Sequence, residues 1–405
     1  MSDSKKLPDS GRLLSVDALR GFDMFWIVGA GSIVKALDKI DDNAATSFLS
    51  TQLSHVEWEG FRFYDLIFPL FLFIVGISIV FSLDKALEKG GRAAVLKRVF
   101  IRGLLLYVLG IFHYGGISSG WSEIALGGVL HRIAACYVFA ALIYTFVRST
   151  KGLALTAAVL LVGYWAMLTF IPVPDLLLEK ETVEATAEIA GSDSPFAIAA
   201  ATDKKVRGSY EEGRNLTNFV DFLFLGGRRA QDYYINEGLL STIPAIALSL
   251  FGILAGQLLK NTNFSPHRKT VLLLIFGTAG IALGLLWSLQ FPLIKRIWTS
   301  SFILVAGGLS VWMLALFYYI VDVKKWQRWC QPFVWVGCNA LIIYLGARLI
   351  PFSNIASYFV GGDVAKFLNT RIAEGLGSVV ISIVSLLLIL LCARFFYKRG
   401  IFIRV

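Results

Sequence analysis

The segment LSHVEWEGFRFYDLIFPLFLFIVG, residues 53–76, places a histidine and three carboxylates at the entrance of a strongly apolar run. His55 is followed by Glu57 and Glu59, and Asp65 lies where the apolar run has already begun. A carboxylate beside a histidine can hold the imidazole ring in one tautomer and stabilise its protonated form. The pattern is therefore typical of a general base that takes a proton from an attacking amine or hydroxyl near neutral pH.

Several other chemistries lack their usual motifs. The sequence contains no G-x-S-x-G elbow, no Walker loop and no HExxH pair, which argues against hydrolase, ATPase and metalloprotease functions. The cysteines form no CxxC pair and have no histidine at metal-ligand spacing; they are Cys136, Cys330, Cys338 and Cys392. We therefore expect reduced, buried thiols and no bound metal.

The composition indicates the kind of scaffold that must position these residues. Of 405 residues, 56% are hydrophobic and only 16% are charged, whereas soluble domains carry about 25% charged residues. The net charge of +10 comes from basic residues in short segments between apolar runs, which is typical of membrane topology signals. We expect an integral membrane protein in contact with lipid, and no nucleic acid partner.

Apolar runs long enough for a membrane helix, about 20 residues, occur ten times. They lie at roughly 14–36, 63–83, 99–114, 127–147, 152–171, 239–259, 270–290, 298–321, 332–350 and 376–397. The predicted fold is an all-α polytopic membrane protein of about ten helices, forming a single domain over 1–405. One long loop, about 172–238, joins the fifth and sixth spans.

Lysine and arginine in the connections predict the orientation. The N-terminal tail, with Lys5, Lys6 and Arg12, and the even-numbered loops are basic, whereas 115–126 contains neither residue type. The positive-inside rule places both termini in the cytoplasm, in what we expect to be a bacterial inner membrane. His55 and the long loop then lie outside, and the first part of that loop is predicted to be loose or partly helical. The part from Gly213 on is amphipathic, and we expect it to lie on the outer membrane surface or to cap a cavity.

Ionisable residues inside a membrane helix cost about 2.5–3.5 kcal/mol each on insertion scales and are usually paired or functional. Asp17, Arg20 and Asp23 lie at steps of three near the predicted cytoplasmic end of the first span. One interpretation is an ion pair between Asp17 and Arg20 at the start of the helix. The other is that Arg20 faces a cytoplasmic cavity and binds a phosphate-bearing ligand. The sequence leaves both open.

A second group of polar residues is predicted at similar depth on the outer side, from the ends of several helices. Its members are His55, Glu57, Asp65, His131, Arg132, Glu237 and Arg348. Such convergence predicts a shared, partly hydrated pocket that opens outward. The alternative is a set of interfacial side chains that reach separately to water.

Five segments together resemble one known family, the heparan-alpha-glucosaminide N-acetyltransferases and their bacterial relatives. In chain order they read RLLSVDALRGFDMFWIVG (12–29), HVEWEGFRFYDLIFPLFLFIVGISI (55–79), GGVLHRIAACY (127–137), NEGLLSTIPAIALSLFGILAG (236–256) and GCNALIIYLG (337–346). No single motif decides the resemblance, but the ordered set is specific. It covers nearly the whole predicted membrane region.

The resemblance implies a membrane enzyme that takes acetyl from cytoplasmic acetyl-CoA and delivers it to a glucosamine amine on the far side. The family's catalytic histidine falls on His55. Four further residues fall on family motif positions and become site candidates: Asp65, Arg132, Glu237 and Asn339. Arg348 stands where the lysosomal relatives have a histidine, and a first-helix asparagine of those relatives is replaced within IVGAGSIV. We therefore expect a smaller acceptor than heparan, such as an amino sugar, a cell-wall fragment or a polysaccharide terminus.

These considerations give each candidate residue a role. His55 and Asp65 are the catalytic candidates. Arg20 is expected to bind the phosphates of coenzyme A, and Arg132 and Asn339 to bind the donor's acyl oxygen. The acceptor-binding candidates are Glu57, His131, Glu237 and Arg348. His55 either deprotonates the amine or carries the acetyl group itself, and the sequence does not choose between these routes.

Two other functions remain open at this stage. One is a permease for a sugar or cell-wall fragment, with the same charged residues along its path. The other is an O-acyltransferase of a surface glycan, which would share the donor and differ in the acceptor atom. The small residues Gly252 and Gly256, four apart on one helix, also suggest a homodimer.

Overall fold

A computed structural model describes residues 13–38, 44–118, 120–229 and 231–402 of the chain, most of them helical. The α-helices are α1 Leu14–Phe25, α2 Gly31–Asp38, α3 Ala44–Gln52, α4 Phe63–His113, α5 Val129–Phe146, α6 Thr150–Phe170, α7 Lys180–Ala190, α8 Pro195–Ala200, α9 Leu216–Phe224, α10 Thr242–Lys260, α11 Pro266–Ser288, α12 Ser300–Phe317, α13 Gln331–Gly337, α14 Ala340–Leu349, α15 Phe352–Val360, α16 Asp363–Arg371 and α17 Leu376–Arg399. Segments of π-helix follow α1 at Trp26–Ala30 and α12 at Tyr318–Val323, and Trp121–Glu123 forms a 3₁₀ turn. Two short strands, β1 Val173–Pro174 and β2 Lys205–Val206, pair antiparallel.

The predicted all-α polytopic membrane class is confirmed. Within the described ranges, seven helices are long and apolar enough to cross a membrane. The bent pair α13 and α14, which meet at 80°, makes an eighth if it is one span. Each of the ten predicted runs falls on helical chain; the count of ten and the orientation stay predictions. Lys5, Lys6 and Arg12, part of the basis for the orientation, lie outside the described residues.

The second and third predicted spans both lie within α4, which is kinked between them. Its 51 residues would extend about 77 Å as a straight helix, against a hydrocarbon core of about 30 Å. Gly91, in the charged segment between the two apolar runs, takes φ 69° and ψ −175° and breaks the helix. Glycine adopts this conformation without steric cost, so the break falls where the sequence predicts a loop.

The chain divides into two compact units. The first contains the described residues within 1–50, 262–274 and 311–404, and the second those within 51–261 and 275–310. In the first unit, α1 and α13 lie so close that a Cβ on Gly21 would be 1.6 Å from the Phe333 carbonyl oxygen. That the chain forms a single domain stays a prediction.

In the second unit, α4 and α10 approach closely through small residues. A Cβ added to Gly252 would lie 1.9 Å from the Phe73 carbonyl oxygen, and one added to Gly76 would lie 2.0 Å from that of Ser249. A Cβ added to Gly256 would lie 3.0 Å from the side chain of Val80. Because α4 covers this small-residue face within the chain, the face gives no support to the predicted homodimer.

The long loop is partly helical, as predicted, and carries its own apolar cluster. Strand β1 pairs with β2, and Phe219 and Phe222 of α9 are buried together with Phe291, Ile294 and Ile297 from the connection between α11 and α12. The cluster therefore fixes the 289–299 connection, which carries one residue of the site described below.

A buried carboxylate joins the loop to the start of α10. Asp221, at 0% exposure, accepts hydrogen bonds from the backbone N–H groups of Leu239 at 2.8 Å and Ile235 at 3.5 Å. Burial raises the pKa of this carboxyl to about 6, although these bonds and the positive charges of Arg132 and Arg229 oppose the shift.

Candidate active site

Asp65 occupies a structural position at the start of α4. It is the third residue of the helix, and its Oδ2 accepts the backbone N–H of Arg62, the N-cap residue, at 3.0 Å. The backbone N–H of Val56 approaches the same oxygen at 3.4 Å. A carboxylate in the first turn satisfies backbone donors that have no partner within the helix. This arrangement explains how Asp65 is accommodated at 0% exposure at the end of an apolar helix.

The other carboxylate oxygen of Asp65 faces His55. The distance from Oδ1 to His55 Nδ1 is 2.8 Å, and the two side chains are 1% and 53% exposed, respectively. Arg62 fixes the preceding loop, because its guanidinium donates to the hydroxyl of Ser54 and the carbonyl of His55. When Nδ1–H donates to the carboxylate, the lone pair of Nε2 is left free to accept a proton or attack an acyl carbon.

A third charged residue, Lys295, completes the cluster. The 55–62 loop pairs with the 289–299 connection through a bridge between Glu59 and Ile294 and a 2.8 Å hydrogen bond from Gly60 N–H to the carbonyl of Leu293. This pairing places Lys295 Nζ 3.3 Å from Asp65 Oδ1 and 2.9 Å from His55 Nδ1.

Burial sets the electrostatic state of Lys295. Desolvation lowers the pKa of its ammonium below the ordinary lysine value, and the positive charge of Arg296 acts in the same direction. The negative charges of Asp65 and Glu237 oppose this shift. The cluster therefore contains an ion pair in which one partner, Asp65, has almost no contact with water.

Arg132 is buried near this cluster's supporting loop. It is 1% exposed, and its Nη2 donates to the carbonyl of Gly238 and the hydroxyl of Ser241. Its guanidinium lies 4.8 Å from the ring centre of Trp298, three residues after Lys295. Within the described part of the chain, its Nε and Nη1 have no hydrogen-bond partner. Buried donors of this kind are usually satisfied, so they are available to an acceptor atom of a ligand.

The remaining candidates of the second unit lie in different surroundings. Glu57 is exposed. Glu237 is partly buried and acts electrostatically on both Lys295 and Arg132. His131 is buried between Tyr107, at 4.5 Å between ring centres, and Tyr114, at 6.0 Å. The structure thus brings His55 and Asp65 into contact and keeps the ring of His131 within an aromatic cluster.

Three candidates belong to the first unit. Arg20 Nη1 lies 3.3 Å from Asp17 Oδ1 and donates to the carbonyl of Gly337, so the ion pair considered from the sequence is present. Asn339 is buried, and its amide donates to the carbonyl of Ile401. Arg348 is exposed at the end of α14. The roles of all three stay predictions.

Lys295 was not predicted as a site residue from the sequence. It lies 240 positions from His55, and only the folded connection brings the two together. One signal was available: the adjacent Lys295 and Arg296 lie between two apolar runs, on the side predicted to be poor in basic residues. Among the residues that the structure describes, no group of three or more histidines, cysteines or carboxylates has the geometry of a metal site.

Comparison with known proteins gives consistent matches to one family. Residues 12–184 match the family model described as heparan-alpha-glucosaminide N-acetyltransferase, catalytic. The curated human protein of that name is 27% identical over 340 residues, which is 72% of this chain and 48% of the human protein. The mouse protein is 24% identical over 329 residues, 73% of this chain and 49% of its own length.

This chain is similar to the heparan-alpha-glucosaminide N-acetyltransferases. The suspected resemblance is thereby confirmed, and both of these relatives are named as N-acetyltransferases. The chain spans about half the length of the curated relatives it matches. The family match includes His55, Asp65 and Arg132 and ends before Lys295.

Proposed function

We propose that this protein is a membrane acetyltransferase that moves acetyl from acetyl-CoA to the amine of a glucosamine-type amino sugar. The contact between half-exposed His55 and buried Asp65 carries the proposal, because an Nδ1–H that donates to this carboxylate leaves the Nε2 lone pair to act as the base. Acyl transfer to an amine needs such a base, since the attacking nitrogen must lose a proton. The family match supports the reaction class.

In the proposed reaction, the amine attacks the carbonyl carbon of the thioester and His55 Nε2 accepts the proton that the amine loses. Asp65 stabilises the imidazolium through its bond to Nδ1. The C–S bond breaks, and the proton on Nε2 passes to the departing thiolate. In the two-step variant, Nε2 attacks the thioester and the C–S bond breaks to release the thiolate; the amine then attacks the acetyl-imidazole, the bond to Nε2 breaks, and the proton that the amine loses passes through His55 to the thiolate. The geometry of His55 suits both routes.

The acetyl donor, acetyl-CoA, must also be bound. The unpartnered Nε and Nη1 donors of Arg132 fit an acceptor oxygen of coenzyme A, and they are held in a buried setting where hydrogen bonds are strong. Arg20 remains the candidate for a phosphate contact on the cytoplasmic side. Glu57 and Glu237 are carboxylates suited to a sugar ammonium or hydroxyl group.

The polar ends of the first apolar run of α4 support a reaction across the membrane. Asp84 lies nineteen positions after Asp65, about 28 Å along a helix, which is close to the hydrocarbon thickness of about 30 Å. Asp84 is paired with Arg148 and Lys260. Under the predicted orientation, this basic end faces the cytoplasm and His55 faces outward.

The test is acetyl transfer by the purified native protein and the His55→Ala variant, with labelled acetyl-CoA and glucosamine. We expect the native protein to form the amide product and the variant to lose at least about 10²-fold in kcat, the usual contribution of a general base. His267→Ala, which removes an exposed histidine at the start of α11, is the matched control and should keep native activity. Transfer by folded His55→Ala at the native rate would refute the role of His55. Mass spectrometry of the native product distinguishes an amide from an ester, and an ester would refute N-acetyl transfer.

A further inference from the structure

We propose that Lys295 is a catalytic residue of this site: its ammonium donates a hydrogen bond to the acyl oxygen as the thioester is attacked. This inference rests on the proposed acetyl transfer. It assigns the oxygen-stabilising role to a residue that neither the sequence motifs nor the matched family region includes.

The first observation is where the ammonium stands relative to the imidazole. Lys295 Nζ lies 2.9 Å from His55 Nδ1 and 3.5 Å from Nε2. If Nζ stood in the ring plane, on the axis that points outward from Nδ1, it would lie about 2 Å farther from Nε2 than from Nδ1. The two distances are too similar for that position, so the ammonium stands beside the face of the ring. Asp65 Oδ1, at 2.8 Å from Nδ1, can therefore accept the Nδ1–H hydrogen bond while Lys295 stands at the ring face.

The second observation concerns the donors that remain. An ammonium has three N–H bonds, and the ion pair with Asp65 Oδ1 at 3.3 Å uses one of them. Lys295 therefore has further N–H bonds, and its Nζ lies 3.5 Å from Nε2. Nε2 is the atom that contacts either the attacking amine or, in the two-step route, the acyl carbon itself. An oxygen on that carbon can lie within hydrogen-bond distance of Nζ, as oxyanion stabilisation requires.

The third observation is that the fold holds Lys295 firmly. Its connection is bonded to the 55–62 loop at Gly60 and Glu59, and its own carbonyl accepts the backbone N–H of Trp298 at 3.0 Å. Trp298 is buried and adopts φ 54°, a conformation that is costly for a bulky residue. The surrounding structure thus fixes the direction of the chain immediately after the lysine.

The electron and proton changes balance with these residues. The nucleophile's lone pair forms the new bond to the acyl carbon, and the C=O pair moves onto the oxygen, which accepts the Lys295 N–H bond. When the pair returns, the C–S bond breaks and the thiolate takes the proton held by His55. Lys295 keeps its protons throughout, so it must remain charged.

This requirement predicts a loss of activity at alkaline pH. The charged or titratable groups that act on Lys295 are Asp65, His55, Glu237 and Arg296. Burial lowers the pKa of Lys295. As the pH rises, its ammonium therefore loses the hydrogen-bonding proton before the usual lysine pKa of about 10.4 is reached. Arginine stays charged well above that pH.

The experiment compares the full-length native protein with Lys295→Met and Lys295→Arg, using release of coenzyme A thiol with acetyl-CoA and glucosamine at pH 6 to 11. We expect Lys295→Met to lose about 10²- to 10³-fold in kcat, the usual effect of removing one such donor, with a smaller change in KM. Lys295→Arg should recover part of that loss, and its activity should not decline at alkaline pH as native activity does. Arg296→Gln, which removes the neighbouring positive charge, is the control and should change kcat less than threefold.

Thermal unfolding establishes that each variant is folded, and the comparison of native protein with Lys295→Arg does not depend on the methionine variant. Retention of kcat within threefold by Lys295→Met would overturn the inference, as would equal losses in both variants with unchanged alkaline profiles. If the native protein transfers no acetyl group, the proposed function fails and this inference fails with it. If both the native protein and Lys295→Met are active, the role of Lys295 is rejected and the proposed function stands.

Discussion

Replacing Asp65 with asparagine tests the hydrogen-bond arrangement around His55 most sharply. The Oδ2 atom accepts two backbone N–H groups, from Arg62 and Val56. The asparagine oxygen must take this position, because an amide NH₂ placed there would leave both donors unpaired, at about 1–3 kcal/mol each. The NH₂ group then takes the Oδ1 position and points at His55 Nδ1 and Lys295.

In that orientation the asparagine donates to Nδ1, which moves the ring proton to Nε2 and removes the free lone pair. It also presents a donor instead of a negative charge to Lys295, which lies 3.3 Å from Oδ1 in the native site. A wrong tautomer of this kind lowers kcat by about 10⁴-fold in serine proteases. We expect a loss of about 10³- to 10⁴-fold here, equivalent to about 4–5 kcal/mol in activation free energy.

The assay is steady-state release of coenzyme A thiol, with kcat and KM determined separately for Asp65→Asn and the native protein. Because the amide oxygen still satisfies the backbone donors of the first turn, the variant should remain folded. Glu88→Gln makes the same chemical change at an exposed position of α4 and should leave kcat unchanged. A folded Asp65→Asn variant that keeps a tenth or more of the native kcat would refute this account of the tautomer.

Two further predictions concern the scaffold. Gly252→Ala should destabilise the protein by about 1–3 kcal/mol through overpacking, since its Cβ would lie 1.9 Å from a backbone oxygen of α4. The control, Gly163→Ala, meets no atom within 4 Å and should be neutral or slightly stabilising; equal unfolding temperatures would contradict the close helix contact. Asp221 keeps its proton to a higher pH in the folded state, with a pKa of about 6, than in the unfolded chain. The native protein should therefore lose stability relative to Asp221→Asn as pH rises from about 4 to 6, by up to about 3 kcal/mol, and a stability difference independent of pH would exclude the buried carboxyl as its source.

The sequence predicted the helices well because their signal is local. Each apolar run is long enough to be recognised by itself, and the break at Gly91 coincides with a glycine pair in a charged segment. The pairing of His55 with Asp65 was also predictable, since ten residues separate them and the second begins a helix. The long loop was harder, because its order comes from burial of Phe219 and Phe222 against a connection far along the chain.

The place of Lys295 in the site could not be predicted from the sequence. Its contact with His55 depends on the pairing of Gly60 with Leu293, which leaves no pattern in either segment. The small residues of α10 show a second limit, and the homodimer that they suggested stays a prediction. A close-packing face was recognised correctly, but the sequence could not indicate that its partner is α4 of the same chain.

The most direct test of the central claim is a structure of the protein with a non-hydrolysable analogue of acetyl-CoA bound. We expect the carbonyl carbon of the analogue to lie about 3–3.5 Å from His55 Nε2 or from an amine that Nε2 contacts. We also expect the carbonyl oxygen to lie about 3 Å from Lys295 Nζ. An analogue bound with its acyl group out of contact with both His55 and Lys295 would contradict the account.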